Sequence, residues 1–419
     1  MGITIPAKVA DFRGQCIESV KVKEDVIHID CRRDNRFAMR GNSSAQHGIL
    51  NRWLRRVIED IPLFGMRTLV HIEYAQVFIN RSLVEIERLP FVAPGSRVTD
   101  RFARLISGLC RYMPISAVAL YVGLRWNTVK NIDKAWIKKT LLMKRPSDLE
   151  SLEYIGVDEV ARAKGHDYVT VVYDLGSADL LWVHEGRTAA VLGQFLAALT
   201  EETANGIKAL AMDMGLAYQC AVKTWLPNTD IVFDRFHVMQ MYNKALAMAT
   251  VRRSQFRKAD EEGKEMLKGS RYLLLSNKCN LKDGQQPVLN ALLAANDALN
   301  MSYILKEQLQ ALWDHPVSFE QMSANLEAWC ELADESGLAP IKRVAATLRR
   351  HAEGICNYAK HPISNARVES GNVAIGLIRK RARGIRDTKY FILKIFQISS
   401  PPDAGALLSA GSMAGLITV

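Results

Sequence analysis

Residues 206–238 read GIKALAMDMGLAYQCAVKTWLPNTDIVFDRFHV and decide the fold of the chain. Two short apolar runs, 207–212 and 231–233, are each followed by an aspartate, Asp213 and Asp234. Apolar runs bounded by turn residues predict buried strands, and the segment between them is long enough for a helix. Because ligands of α/β sheets gather at the carboxyl ends of strands, both aspartates are candidates for a metal or substrate site.

Two further stretches extend this strand–helix–strand unit. Upstream, residues 154–158 form an apolar run ending at Asp158, and the runs 168–173 and 180–183 follow it. These runs predict three successive strands in an antiparallel meander. Downstream, Glu369 lies in a segment with a helical pattern. This order of elements predicts an RNase H-like fold that carries three carboxylates.

Four motifs resemble those of the DDE transposases of bacterial insertion sequences, in the ISL-three family. They are GVDE at 156–159, LAMDMGLAY at 210–218, PNTDIVFDRFHV at 227–238 and SNARVESGN at 364–372. The resemblance covers residues 31–396, most of the chain, and the combination of DRFHV with SNARVE is specific. It implies an enzyme that binds the terminal inverted repeats of its element and moves the element by DNA cleavage and strand transfer.

By this resemblance, Asp158, Asp213 and Glu369 are the catalytic residues and hold two Mg²⁺ (or Mn²⁺) ions, with Asp158 bridging both. Such hard ions prefer carboxylate oxygens, and a pair of them can activate a nucleophile and stabilise the leaving oxygen of a phosphodiester. No side-chain nucleophile is required, because water attacks first and the freed 3′-OH then attacks target DNA.

Other residues near these carboxylates are expected to play supporting roles. Asp234 is either a metal ligand, a residue that supports the ligands, or the cap of the next helix, for which Asp is favoured. His237 fits a hydrogen-bonded structural histidine better than a base. The resemblance implies that Asn365 and Arg367 position DNA. Glu159 is excluded, because neighbours in a strand point to opposite faces.

The composition limits the classes of protein to which the chain can belong. Its 419 residues are 48% hydrophobic, which is enough for two or three domains with real cores. No apolar run is as long as a membrane span, and the start lacks the apolar core of a signal peptide. Seven cysteines without a CxxC pair predict reduced thiols. We expect a cytoplasmic, nucleoid-associated bacterial protein without a membrane partner.

The basic charge is concentrated in the first third of the chain. The net charge is +11, and residues 1–150 hold 25 Lys and Arg against 15 Asp and Glu, whereas the remainder holds 30 against 29. A basic domain beside a neutral one indicates a nucleic-acid-binding module. The alternative is a solvated basic surface.

Residues 1–95 are expected to form a degenerate zinc-ribbon-like module. The resembling family carries paired cysteines here, but Cys31 is followed by Arg33 and Asp34 where a second cysteine would stand. A structural zinc site needs four N or S ligands, so zinc is not expected. The apolar runs 67–72 and 83–86 predict strands of the module.

Residues 96–146 are predicted to form a helix-turn-helix DNA-binding domain. Helical periodicity over 98–109 is followed by a short helix from 115, a turn at Gly123 and a second helix from Trp126. An ordinary helical hairpin in a bundle is the alternative. The outward residues of the last helix suit groove and phosphate contact; they are Arg125, Asn127, Thr128, Lys130, Asn131 and Lys134.

The rest of the chain is assigned to the catalytic domain. Its parts are the first part of the core (152–239, with one helix over 187–203), an all-α insertion (240–361), the C-terminal helices of the core (362–398) and a loose tail (399–419). Glu369 shares a helix ridge with Arg379, Lys380 and Arg383, which suits a metal ligand flanked by phosphate contacts. A solvated basic helix with one ordinary acidic residue is the alternative.

These observations predict a multidomain α+β protein that acts as a transposase. Double-stranded DNA, as terminal inverted repeats and as target, is the expected partner, and the resemblance implies a homodimer or a larger homo-oligomer. Two other functions stay open. One is a DNA-binding protein whose RNase H-like domain is inactive, and the other is a nuclease of the same fold without strand transfer.

Overall fold

The computed structural model describes ten stretches of the chain, which are 12–80, 83–141, 149, 151–163, 167–244, 251–268, 270–276, 280–314, 318–382 and 385–400. The chain divides into two compact units. Unit 1 comprises Met1–Leu142 and Leu377–Val419, and unit 2 comprises Met143–Gly376. Most of the predicted tail and of the basic linker around Lys144 and Arg145 lies outside the described residues.

The N-terminal part of unit 1 is a five-stranded mixed sheet. Its strands are β1 (Gln15–Lys23), β2 (Val26–Arg33), β3 (Ile49–Leu63), β4 (Met66–Phe78) and β5 (Val84–Ile86). The order is β1-β2-β4-β3 with β5 beside β4, and β2 runs parallel to β4. The strands predicted at 67–72 and 83–86 are confirmed as β4 and β5, whereas β1, β2 and β3 were not predicted.

A buried ion pair occupies the place where the ribbon's second cysteine would stand. Arg33 at the end of β2 lies 2.8 Å from Glu87, and both side chains are less than a tenth exposed. Glu87 also accepts a hydrogen bond from the backbone of Ala75 in β4 at 2.8 Å. Buried charges persist only when they are paired and hydrogen-bonded, so this pair ties β2 to β4 and to the segment after β5.

Three helices follow the sheet, and the last helix that the structure describes packs against the first and third of them within unit 1. They are α1 (Asp100–Tyr112), α2 (Ile115–Val122) and α3 (Trp126–Thr140). Thr99 caps α1, and Gly123 ends α2 in the left-handed conformation that glycine adopts without strain. The predicted helix starts and the glycine turn are therefore confirmed.

A buried polar network joins α3 to α17 (Thr388–Ser399), the last helix among the described residues. Asp133 in α3 is fully buried. Its carboxylate accepts hydrogen bonds from Ser107 at 2.6 Å and Tyr390 at 2.5 Å, and it lies 3.1 Å from the ammonium group of Lys394. Because a buried carboxylate needs such partners, α17 is part of the same folding unit as the three helices.

Unit 2 contains a second five-stranded sheet with the order β10-β9-β6-β7-β8. β6, β7 and β8 form the predicted antiparallel meander, and β9 and β10 run parallel to β6. The five strands are β6 (Tyr154–Ala163), β7 (Asp167–Asp174), β8 (Leu180–Glu185), β9 (Ala209–Met212) and β10 (Asp230–Phe233).

The helices of unit 2 lie between and after these strands. Between β10 and residue 359, the described residues form helices and turns. The helices are α4 (Ala189–Leu196), α5 (Glu201–Gly206), α6 (Leu216–Trp225), α7 (Arg235–Lys244), α8 (Val251–Lys258), α9 (Glu261–Leu267), α10 (Arg271–Leu275), α11 (Gln285–Ala294), α12 (Asp297–Ala311), α13 (Phe319–Glu335), α14 (Ala339–Arg350), α15 (Ala352–Cys356), a 3-10 turn (Asn357–Ala359) and α16 (Ala366–Ala382), whose last six residues belong to unit 1.

The prediction of one helix over 187–203 was wrong. Thr188 caps α4 and Thr200 caps α5, each accepting a hydrogen bond from a backbone N–H of its own helix. A threonine that caps a new helix competes with continuation of the preceding one. Among the described residues, no helix is long and apolar enough to cross a membrane.

Candidate functional site

The parallel strands of unit 2 bring three aspartates to one end of the sheet. The register pairs Gly156 with Ala211, and Phe233 with Met212. If the same register is continued beyond these pairs, Asp158 and Asp234 both lie beside Asp213. Asp158 is not at the end of its strand as expected, because β6 continues to Ala163; it lies just beyond the part of β6 that pairs with β9.

Asp158 is held by two hydrogen bonds. Its Oδ1 accepts from the backbone N–H of Glu159 at 2.7 Å, and its Oδ2 accepts from Nδ2 of Asn372 at 2.6 Å. Burial raises the pKa of Asp158, and the charge of Asp213 raises it further, while these hydrogen bonds and His237 act in the opposite direction. Asn372 and the backbone of Glu159 therefore orient the Asp158 carboxylate, and the charge of Asp213 affects its pKa.

Glu369 lies in the first turn of α16, which packs closely on the sheet. A Cβ on Gly156 of β6 would come within 2.7 Å of Val368 and 2.9 Å of Asn365, and a Cβ on Gly371 would collide with the hydroxyl of Tyr173 in β7. The two glycines thus allow α16 to approach β6 and β7. The sequence pattern gives no sign of this role for either glycine.

The surroundings of Glu369 are acidic. Burial raises its pKa, as do the charges of Asp234 and Asp158, while His237 lowers it. Its Oε1 is buried and has no hydrogen-bond partner among the residues that the structure describes. His237 is half-buried on α7 and interacts electrostatically with both Asp158 and Glu369, so it partly offsets their repulsion.

Asp234 connects two of the motifs. Its Oδ1 accepts from the backbone N–H of Phe236 at 2.9 Å, which caps α7, and its Oδ2 accepts from the backbone N–H of Asn365 at 3.1 Å. Asn365 also donates from Nδ2 to the carbonyl of Val157 at 3.4 Å. The DRFHV and SNARVE motifs are thus joined just before α16 begins.

Three residues of this site were not predicted. Asn372 holds Asp158, and Glu159, which sequence analysis excluded, shares the acidic surroundings: burial and the charge of Asp213 raise its pKa. Arg187 lies 3.7 Å from Glu159 and 4.2 Å from the ring centroid of Tyr168. Asn372 stands three residues after Glu369 and therefore on the same helix face. That spacing is the signal in the sequence that could have predicted Asn372 as a residue of the site.

The donor set fits a hard divalent cation. The carboxylates of Asp158, Asp213 and Glu369 interact electrostatically through Asp158, and Glu369 has an oxygen free to coordinate. Oxygen donors of this kind are the ligands that Mg²⁺ prefers. Among the described residues, no three His, Cys, Asp or Glu side chains are grouped so that they could hold one metal ion.

The structure separates the predicted DNA-contacting residues of α3 into two groups. Arg125, Asn127, Thr128 and Asn131 are exposed at the start of the helix. The expectation that Lys130 and Lys134 point outward was wrong: both are about a quarter exposed and lie 2.8 and 2.7 Å from Asp387 at the start of α17. An attraction to a carboxylate more than 250 residues away in sequence turns them inward.

The basic end of α16 is described only in part. Arg379 is half-buried and Lys380 is exposed, and both belong to unit 1. Arg383 and the side chain of Arg367 lie outside the described residues.

Comparison with known proteins gives the family. Residues 155–395, more than half of the chain, match the family model of ISL3 DDE transposases, described as "Transposase". Residues 87–137 match the "Helix-turn-helix domain of transposase family ISL3". The second match includes the region of α1, α2 and most of α3.

Two curated relatives are transposases of insertion sequences. The transposase for insertion sequence element IS1001 of Bordetella parapertussis is 34% identical over 344 residues, covering 81% of this chain and 83% of that protein. The transposase for insertion sequence element IS1557 of Mycobacterium tuberculosis is 28% identical over 299 residues, covering 66% of each. With its catalytic-region match, its helix-turn-helix match and these relatives, the chain belongs to the ISL3 family of transposases.

Proposed function

We propose that this transposase binds the terminal inverted repeats of an insertion sequence and catalyses metal-dependent cleavage and strand transfer of DNA. The observation that carries the proposal is the position of Asp158, which lies beside Asp213 in the continued strand register and interacts electrostatically with Glu369 of α16. The strand order β10-β9-β6-β7-β8, with an antiparallel meander and two added parallel strands, supports an RNase H-like core.

In this proposal, Asp158, Asp213 and Glu369 would hold the Mg²⁺ or Mn²⁺ ions. When bound, the ions would activate the attacking oxygen and stabilise the leaving oxygen. Asn372 orients Asp158 through Oδ2, and Asp234 and Asn365 fix the start of α16 and with it Glu369. Water attacks the phosphorus at the element's end and releases a 3′-OH. That 3′-OH then attacks a phosphodiester of the target and displaces a target 3′-oxygen.

The helix-turn-helix would bind double-stranded DNA at the terminal repeats. Arg125, Asn127, Thr128 and Asn131 are the residues proposed to reach the groove and phosphates, because they are exposed at the N-terminal end of α3. Lys380 is a further candidate for phosphate contact. Since two ends must be brought together, we propose that the protein acts as a homodimer or larger homo-oligomer.

The test is the joining of a labelled terminal-repeat duplex to plasmid DNA in Mg²⁺. We expect Asp158→Asn, Asp213→Asn and Glu369→Gln to lose joining by about a thousandfold or more, because each removes a ligand worth several kcal/mol in the transition state. Asp234→Asn keeps one acceptor oxygen, which can still cap α7, and loses the hydrogen bond from the backbone of Asn365. Because Asp234 is not a proposed metal ligand, the variant should keep much of its activity. Asp179→Asn, in an exposed turn, is the matched control.

Other outcomes select other functions. A wild type that binds the repeat without cutting it would be a DNA-binding protein with an inactive core. Cutting without joining would indicate a nuclease. A dead Asp234→Asn beside an active Asp213→Asn would show that Asp234, rather than Asp213, is the second ligand.

A further inference from the structure

A cavity opens beside Glu369 in unit 2. Its volume is about 500 Å³, and its lining comes from one side of α7 between its first turn and Asn243 in its last turn, the ends of α10 and α12, the 3-10 turn and the start of α16. Asp234 and Glu369 form part of the wall. The cavity therefore adjoins the carboxylates proposed to act on the scissile phosphate.

The lining combines aromatic rings with side-chain amides. Phe236 is 49% exposed, although its neighbours Val238 and Tyr242 on α7 are fully buried. Tyr358 supplies a second ring, and Asn243 and Gln310 supply two amides. Rings offer stacking surface, while amides can both donate and accept hydrogen bonds.

One acceptor in the wall has no donor. Oδ1 of Asn243 is buried, and none of the residues described in the structure donates a hydrogen bond to it. Leaving a buried acceptor unpaired is unfavourable, and such groups are uncommon in native proteins. A ligand that carries N–H donors would satisfy it once the Asn243 side chain turns toward the cavity.

The charges of the wall argue against an anion as that ligand. The lining contains two carboxylates, Asp234 and Glu369, and a single cation, Arg235, which lies 3.3 Å from Asp314. A phosphate group would be repelled by the carboxylates, whereas a neutral heteroaromatic ring with N–H groups matches the rings and amides.

We propose that this cavity accepts one unpaired nucleobase of the element's end, stacked on Phe236 and hydrogen-bonded to Asn243. The proposal rests on the proposed function, because Glu369 places the cavity next to the cleaved strand. Enzymes that extrude a base read it by stacking and by hydrogen bonds to its Watson–Crick edge. Stacking of this kind tolerates different bases because each has a π-face.

The test uses permanganate, which oxidises unstacked thymines, on terminal-repeat duplexes that carry a T·A pair at one position at a time around the cleavage site. We expect a thymine at one position to become reactive when the full-length protein binds. Phe236→Ala and Asn243→Ala should reduce joining about tenfold. A mismatch at the reactive position should restore much of that loss, because the base is then already unpaired.

Phe256→Ala is the matched control, since Phe256 is 37% exposed on α8 and does not line the cavity. If the wild type joins ends while no thymine becomes reactive and Phe236→Ala joins normally, the cavity proposal is wrong and the proposed function stands. If the wild type exposes a thymine that Phe236→Ala does not expose, yet joins no ends, the cavity proposal is supported and the proposed function fails.

Discussion

Asp387 shows how one carboxylate can stabilise both a helix and the packing around it. Its Oδ1 caps α17 by accepting from the backbone of Tyr390 at 3.0 Å, and its Oδ2 lies within 2.8 Å of Lys130 and Lys134. Burial acts to raise the pKa of Asp387, but the hydrogen bonds from both lysines and from Tyr390 outweigh it and hold the pKa well below its usual value.

We expect Asp387→Asn to loosen α17 at neutral pH. Asparagine keeps the cap but removes two partly exposed ion pairs, worth about 1 kcal/mol together. A lowered folded-state pKa stabilises the fold above the unfolded pKa, about 4, and this contribution is lost as the pH falls toward the folded value. Hydrogen exchange of Thr388–Ser399 should therefore be faster in the variant at pH 7, and the difference should narrow toward pH 3.

Asp260 provides the control for this measurement. It caps α9 through Gly263 in the same way, but it has no ion pair among the described residues. Asp260→Asn should leave the exchange of α17 unchanged. Equal exchange in wild type and Asp387→Asn at pH 7 would contradict the role assigned to the two lysines.

Individual residues were predictable where the signal was local. Asp213 and Asp234 follow short apolar runs, so their placement at strand ends could be read from the sequence. The inward turn of Lys130 and Lys134, and the contact between Asn372 and Asp158, depend on partners more than 200 residues away. No local pattern specifies such a partner; only the tertiary register does.

α16 is the element on which the candidate site most depends. It carries Glu369 and Asn372, and it lies against β6 and β7 because Gly156 and Gly371 leave room for it. Strand and helix periodicity predicted the sheet meander and the starts of α2 and α3. It could not predict the close packing, because a glycine within a helical pattern does not reveal what faces it.

We expect Gly371→Ala to displace α16 and to reduce joining sharply. The added methyl group would collide with the Tyr173 hydroxyl, and overpacking of this kind costs about 1–3 kcal/mol. Both the temperature of unfolding and the joining rate should fall. Gly376→Ala is the control, because its methyl group would meet nothing within 4 Å. It should keep its activity and gain up to about 1 kcal/mol in stability, and a Gly371→Ala protein with normal joining would refute the packing argument.

The two units differ strongly in charge. Unit 1 holds 30 Lys and Arg against 15 Asp and Glu, a net charge of +15, whereas unit 2 holds 25 against 29, a net charge of −4. In the sequence, the excess of positive charge lies in the first 150 residues. Residues 377–419, which belong to unit 1 as well, add a further basic segment. The division between units could not be read from composition, because the basic residues of 377–419 lie far from the N-terminal module.

We expect the affinity for terminal-repeat DNA to fall steeply with salt, because cations that neutralise phosphates release counterions. A protein that neutralises three phosphates would bind about 40-fold more weakly at 200 mM than at 50 mM salt. Arg125→Gln should reduce the slope of log affinity against log salt by about one. Lys342→Gln, an equal charge change on the exposed surface of α14 in unit 2, should not; equal effects of the two changes would count against α3 as the DNA-contacting helix.

The buried network around Asp133 has a consequence for synthesis on the ribosome. Met1–Leu142 is translated first, then the whole of unit 2, and only afterwards the residues of α17. Until Tyr390 and Lys394 emerge, the Asp133 carboxylate has only Ser107 of the partners seen in the finished structure. The helix-turn-helix therefore reaches its final form only after the catalytic region has been made. A chain terminated before residue 388 would lack the completed helix-turn-helix.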